Sequence, residues 1–201
     1  MTGSHRAARS VYVYSDETGQ QSRGAWLVVA AVAITEHRHA IERQLEDIEQ
    51  RTGKNHQDWY RCDGKRVRRY LEHALAIDGL DRAVHFRAYE QIEPVDYHGY
   101  GIETVLDVAD LFQPVSTATF IPEGFTRWTR ERLETAARRR FRRSKVWAGG
   151  FHGCSIVRFA DAVAGLIGEH LFRPRSKRHF PDLVSSSFVE LERRNPPAVC
   201  R

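Results

Sequence analysis

Asp16 and Glu17 stand where a short β-branched and aromatic run, Val11 to Tyr14, breaks into Ser15-Asp16-Glu17-Thr18-Gly19. Acidic residues at the C-terminal end of a strand are well placed to face a ligand crevice in an α/β sheet. Asp also favours such positions for ordinary turn hydrogen bonding. Far along the chain, Asp161 lies within Ile156 to Gly168, one of the most apolar helical stretches. On a helical wheel Ile156, Phe159, Ala160, Val163, Ala164 and Ile167 form a buried stripe. Asp161 falls at its edge, on a strip shared with Gly165 and Gly168. Each glycine lowers helix stability by roughly 1 kcal/mol against alanine, which points to a close backbone approach beside the carboxylate. A carboxylate near a core must be paired, hydrogen-bonded or bound to a metal. Arg158, three residues earlier, is the candidate for a simple ion pair. Carboxylates gathered from different elements beside basic clusters suit Mg²⁺ or Mn²⁺. These hard ions take oxygen ligands, polarise a phosphate and activate water for phosphodiester hydrolysis.

The basic residues are unevenly spread. Arg127, Arg130, Arg132, Arg138, Arg139, Arg140, Arg142, Arg143 and Lys145 share their segment with only two acids, Glu131 and Glu134. A second cluster, Arg173, Arg175, Lys177 and Arg178, follows the last strong helix. Such clusters suit a phosphate backbone, and a solvated surface equally well. The preponderance of Arg favours phosphate, because its guanidinium binds bidentately. Arg127 and Arg130 are therefore the first nucleic-acid contacts to test, with Arg138 further along. Trp59 and Tyr60 offer faces for base stacking, or simply loop packing. His152, in a glycine-rich loop, is within reach of a bound phosphate or serves as an ordinary loop residue. His37 and His39 are two apart on a helix and make a poor metal pair. Cys154-Ser155 has no histidine–acid partner in the sequence, and Ser155 reads as a helix N-cap.

These side chains need a scaffold, and the pattern supplies one. Trp26 to Ile34 is a continuous valine-rich run, the mark of a strand buried on both faces, and it forms a hairpin with Val11–Tyr14. Further strands are expected at Ala83–Ile92, Thr117–Ile121 and Lys145–Ala148. Helices are expected at Glu36–Thr52, Gly64–Ala76, Gly101–Phe112, Thr126–Arg142 and Ile156–Leu171. A further helix is expected over Phe188–Arg193. The alternation specifies an α/β fold, a sheet of about five strands with helices packed on it. We divide the chain into a flexible N-terminus (1–10), one domain (11–172) and a basic C-terminal extension (173–201).

The 201 residues are enough for one domain with a substantial core. The formal net charge is +5, with 41% hydrophobic and 28% charged residues, close to the soluble average. The longest apolar run, Ala25 to Ile34, is about half a membrane span, so no membrane role is expected. The charged N-terminal residues precede no apolar segment, and no secretory leader is expected. Three scattered cysteines without a CxxC pair fit a reducing cytoplasm and argue against structural zinc.

The segment Val11-Tyr12-Val13-Tyr14-Ser15-Asp16-Glu17-Thr18-Gly19 resembles the strand-plus-"DESG" opening of the DUF3800 family. Ser155-Ile156-Val157-Arg158-Phe159-Ala160-Asp161-Ala162-Val163-Ala164-Gly165 resembles that family's "S…LQLADLVAG" helix. The order of the intervening elements is also similar, so the likeness covers about residues 11–172. The resemblance implies an RNase H-like fold whose first strand presents Asp16 and whose last helix presents Asp161. It implies a Mg²⁺- or Mn²⁺-dependent nuclease acting on DNA or RNA, and leaves room for a protein partner or homodimer. On this resemblance Asp16 is expected to be the central metal ligand, with Glu17, Glu123 and Asp161 the candidates for completing the site. Two positions depart from the family pattern. The usual Gln is Arg158, here a candidate phosphate contact, and Pro122-Glu123-Gly124 stands where an Asp is usual after the fourth strand. If Glu123 does not substitute, the chain is a catalytically degenerate nucleic-acid-binding or complex-forming protein on the same fold. A small-molecule phosphohydrolase would share the metal chemistry but would not need the long basic helix.

Overall fold

The computed structural model describes residues 9–80, 82–93, 97–147, 153–184 and 188–192. His152, most of the glycine loop before the last helix and the first eight residues lie outside that set.

Among the described residues, six strands and five α-helices follow in the order β1 (Arg9–Thr18), β2 (Trp26–Ile34), α1 (Arg38–Thr52), α2 (Gly64–Ala74), β3 (Val84–Glu90), α3 (Tyr97–Asp110), β4 (Val115–Pro122), α4 (Arg127–Arg140), β5 (Ser144–Val146), α5 (Ser155–Phe172) and β6 (Val189–Glu190). They form one mixed sheet in the order β5-β4-β1-β2-β3-β6. β1 runs antiparallel to β2 and parallel to β4, while β2 is antiparallel to β3. This is the α/β class expected from the sequence, with β1 inside the sheet and helices on both faces.

β2 is buried along nearly its whole length, as its unbroken apolar run requires. Val28, Ala30, Val32 and Ile34 face α1, α2 and α5, while Ala31 and Ala33 face α3 and α4. β1 alternates in the same way: Tyr14 lies on the α5 face, Val11 and Val13 on the α3/α4 face. β1 does not stop at Tyr14. Its ladder with β2 continues through Asp16↔Ala30 and Glu17↔Val29 to Thr18↔Val28. The strand ends at Gly19, whose φ of 109° takes the left-handed region and whose Cα lies against the Trp26 ring.

A sixth strand enlarges the expected sheet. Val189–Glu190 pairs parallel to β3, so the described part of the helix expected over 188–193 is instead an edge strand. Phe180 and Leu191 are buried in the two main cores, and Arg68 forms an ion pair with Asp182. The described part of the C-terminal extension therefore packs onto the fold. No helix among the described residues is long and apolar enough to cross a membrane.

Candidate functional site

Asp16 projects from β1 toward α5, because it follows Tyr12 and Tyr14 on the even-numbered side of the strand. Thr18, next on that side, lies against α5, since a Cβ on Gly168 would stand 2.8 Å from its methyl. Asp16 Oδ1 accepts the Glu17 backbone N–H at 2.8 Å. Glu17, of opposite parity, accepts from Gln20 Nε2 at 3.0 Å. β4 lies parallel beside β1 with Ser15 opposite Pro122, and the Glu123 N–H donates to the Ser15 carbonyl at 3.0 Å. That register brings Glu123 alongside the end of β1.

Asp161 comes from α5. Its Oδ2 accepts the Trp59 backbone N–H at 2.7 Å. Gly165 makes this possible, because a Cβ there would stand 2.3 Å from the Trp59 indole. The close approach expected beside the helical glycines is thus made by the 54–63 loop and by Thr18. Trp59 is 5% exposed and belongs to the core rather than to a base-stacking surface; Tyr60 is exposed.

These residues line one cleft of about 710 Å³ at the C-terminal ends of β1 and β4. Asp16, Glu17, Glu123 and Asp161 meet there, joined by Asp58 and Glu169. Burial first, then Asp161, Glu17 and Glu123, push the Asp16 carboxyl well above the usual carboxylate range. Burial, with Glu123 nearby, raises Glu17 to about 7. Burial, opposed by the Trp59 N–H and Lys54, raises Asp161 to about 6. Carboxylates that resist ionising together are oxygen donors whose shared charge a cation would offset. Among the described residues no three acidic, histidine or cysteine side chains stand close enough to cage one ion. Mg²⁺ in particular is commonly held by one or two carboxylates together with waters and substrate phosphate.

Beside the cleft lies a buried charge cluster that gives Arg158 a partner other than Asp161. Its guanidinium bonds Glu49 of α1, with Nε at 2.9 Å and an Nη at 2.6 Å. It is paired with Glu49 and not with Asp161, and its side chain, 5% exposed, lines the inner wall of the cleft. Lys54, fully buried, donates to the Gln57 carbonyl at 3.0 Å and lies 3.6 Å from Glu49. Sequence reasoning missed Glu49, Lys54 and Asp58. Glu49 did leave a signal, four residues after Leu45 and next to Ile48 on the apolar stripe of α1. A carboxylate placed there demands a buried cation. Lys54 and Asp58 sit in an irregular loop where periodicity is silent.

The arginines of α4 lie outside the cleft lining, although Thr126, which caps that helix, is part of it. Arg127 and Arg130 pair along the helix with Glu131 and Glu134 at 3.0 Å each. Arg138 is 3.7 Å from Glu134 and largely exposed. From the second basic cluster, Arg173 and Arg178 do reach the cleft. Arg178 donates to the Tyr60 and Cys62 carbonyls at 2.9 Å and so holds the Trp59 loop. Ser155 is not the N-cap expected of it. It is the first residue of α5, and its hydroxyl donates to the Glu42 carbonyl at 2.8 Å.

No family model matches the chain, and no curated protein matches it. Solved structures similar to it include RNase HII of Archaeoglobus fulgidus, determined in complex with PCNA, at 15% identity and TM-score 0.47, covering 79% of this chain and 73% of that one. Ribonuclease H2 of Pyrococcus horikoshii OT3 is similar at 17% identity and TM-score 0.48, covering 77% of this chain and 70% of that one. Bst-RNase HIII, in complex with Mn²⁺, is similar at 13% identity and TM-score 0.44, covering 80% of this chain and 52% of that one.

Proposed function

We propose that this protein is a DUF3800-type, divalent-metal-dependent nuclease that hydrolyses phosphodiester bonds of nucleic acid. The observation that carries the reading is the meeting of Asp16 from β1 and Asp161 from α5 in one cleft, with Glu17 and Glu123 beside them. In it Asp16 and Asp161 hold Mg²⁺ or Mn²⁺, and Glu123 and Glu17 complete the acidic wall. The bound ion supplies Lewis-acid polarisation of the phosphate and lowers the pKa of the attacking water. The chain's own part is positional. The Trp59 N–H orients one oxygen of Asp161, the Glu17 N–H orients one of Asp16, and Arg173 and Arg178 place positive charge on the wall.

Mn²⁺ titration by calorimetry, on the wild type and on Asp16→Asn/Asp161→Asn, tests this directly. Binding is expected in the wild type and not in the variant, whose circular dichroism stays native. Mn²⁺-dependent cleavage of labelled DNA or RNA is expected to disappear with it. Cleavage that survives the double substitution sinks the reading.

A catalytically degenerate nucleic-acid-binding protein is the second reading. It is favoured by the lack, among the described residues, of three side chains close enough to cage an ion. Salt-sensitive nucleic-acid binding without Mn²⁺ binding or cleavage would select it.

A further inference from the structure

The two halves of the α4 segment carry different charge. In the first half Glu131 and Glu134 pair with Arg127 and Arg130. In the second half no acidic residue occurs between Thr135 and Trp147. Arg140 is committed to Asp107 and Asp110 of α3, at 2.8 and 3.0 Å. Of the others, Arg138, Arg142, Arg143 and Lys145, together with Thr117, Phe141 and Ser144, line a groove of about 460 Å³. Among the described residues, Arg142, Arg143 and Lys145 have no ion-pair partner.

These cations are held on ordered backbone. The Arg143 carbonyl accepts the Ala118 N–H at 3.0 Å, and Lys145 is in register with Thr119 of β4. Arg138 has Glu134 at 3.7 Å, so among the described residues three of the four cations around the groove are without an anion, and like charges so placed repel one another unless an anion offsets them. The guanidinium forks of Arg138, Arg142 and Arg143 match phosphate oxygens.

The groove lies at the start of β4 and β5, whereas the acidic cleft lies at the end of β4. Thr117 and Glu123 are separated by extended strand, about 20 Å at ~3.3 Å per residue. We propose that this groove is a second nucleic-acid subsite, which grips the phosphate backbone at a distance from the acidic cleft and so favours long strands over short ones. The proposal rests on the nucleic-acid half of the function above and not on metal or cleavage. At the ~3.4 Å rise per nucleotide of a stacked strand, spanning both sites takes about six nucleotides, and an extended single strand spans them with about half as many.

Fluorescence anisotropy in EDTA tests it, with labelled single-stranded DNA and RNA of about 2 and about 20 nucleotides, lengths below and above either span. Arg142→Ala/Arg143→Ala/Lys145→Ala is expected to weaken long-strand binding about tenfold or more. The slope of log K against log salt should fall by about 2, at ~0.7 per phosphate contact. The short strands should bind the triple variant as they bind the wild type. Arg142→Lys/Arg143→Lys, which keeps the charge, should retain most of the slope, and a native melting curve shows that the fold survives. Unchanged affinity and slope in the triple variant overturn the proposal, as does equal loss on short and long strands, or a wild type that binds neither nucleic acid. Because no cleavage is read, failure of the nuclease reading leaves this result intact, and the reverse holds too.

Discussion

Asp161 and Glu17 keep their protons to about 6 and about 7 because burial disfavours their charged forms, with neighbouring acids adding to it. A carboxyl whose folded pKa lies above its unfolded one binds more protons in the folded state. Its linkage therefore lowers stability as pH rises from about 4, the unfolded value, through the folded pKa. Without metal, the wild type should lose stability over that window. Asp161→Asn, which keeps an oxygen for the Trp59 N–H, should be more stable than wild type by about 1–3 kcal/mol at pH 8 and nearly equal at pH 4. Urea unfolding in EDTA at the two pH values measures this, and an Asn variant no more stable at pH 8 contradicts it. Asp16 and Asp161 were legible as candidates because each is an acid at a strand end or an apolar helix edge. What was not legible was where β1 ends. Ser15 to Thr18 looks like a turn, yet β2 supplies ladder partners through Thr18, and tertiary pairing overrides the weak local preference.

At the scale of elements, α1, α5 and the loop after α1 are joined by Glu49, Arg158 and Lys54. Removing the anion strands two buried cations, whereas removing Arg158 leaves Glu49 its second partner at 3.6 Å. Glu49→Gln should therefore cost about 3–5 kcal/mol, and Arg158→Met distinctly less. Equilibrium urea unfolding of the two variants ranks them, and the reverse order would show that Lys54 does not support Glu49. Helix positions were readable from periodicity, and α1, α2, α4 and α5 begin and end within a few residues of expectation. Partner choice was not. Arg158 sits one turn from Asp161 in sequence, but its guanidinium reaches across to α1, a distance that spacing along one helix cannot show.

At the scale of the molecule, the chain after α5 belongs to the site's support. Phe180 is buried in the core beneath α2 and α5, and Arg178 ties down the loop that carries Trp59. A chain ending at Phe172 loses both. It should be less stable by about 3–5 kcal/mol, the scale of removing one large buried aromatic side chain, and should bind Mn²⁺ more weakly if the nuclease reading holds. Thermal melts and calorimetry of the shortened chain check the two effects. An unchanged melting temperature would show that the extension only rests on the surface.

The sequence by itself determined what is local and periodic: the valine-rich central strand, the amphipathic helices, the α/β class, and two acids at structurally special positions. Those features follow from backbone propensity and from which side chains must leave water. Only the tertiary structure decided which charges meet. Strand register brought Glu123 beside β1, a glycine notch let the Trp59 loop reach Asp161, and Glu49 rather than Asp161 took Arg158. Such pairings depend on distances between residues remote in sequence. They are settled by desolvation, since a buried charge must find the partner the packed fold places within reach.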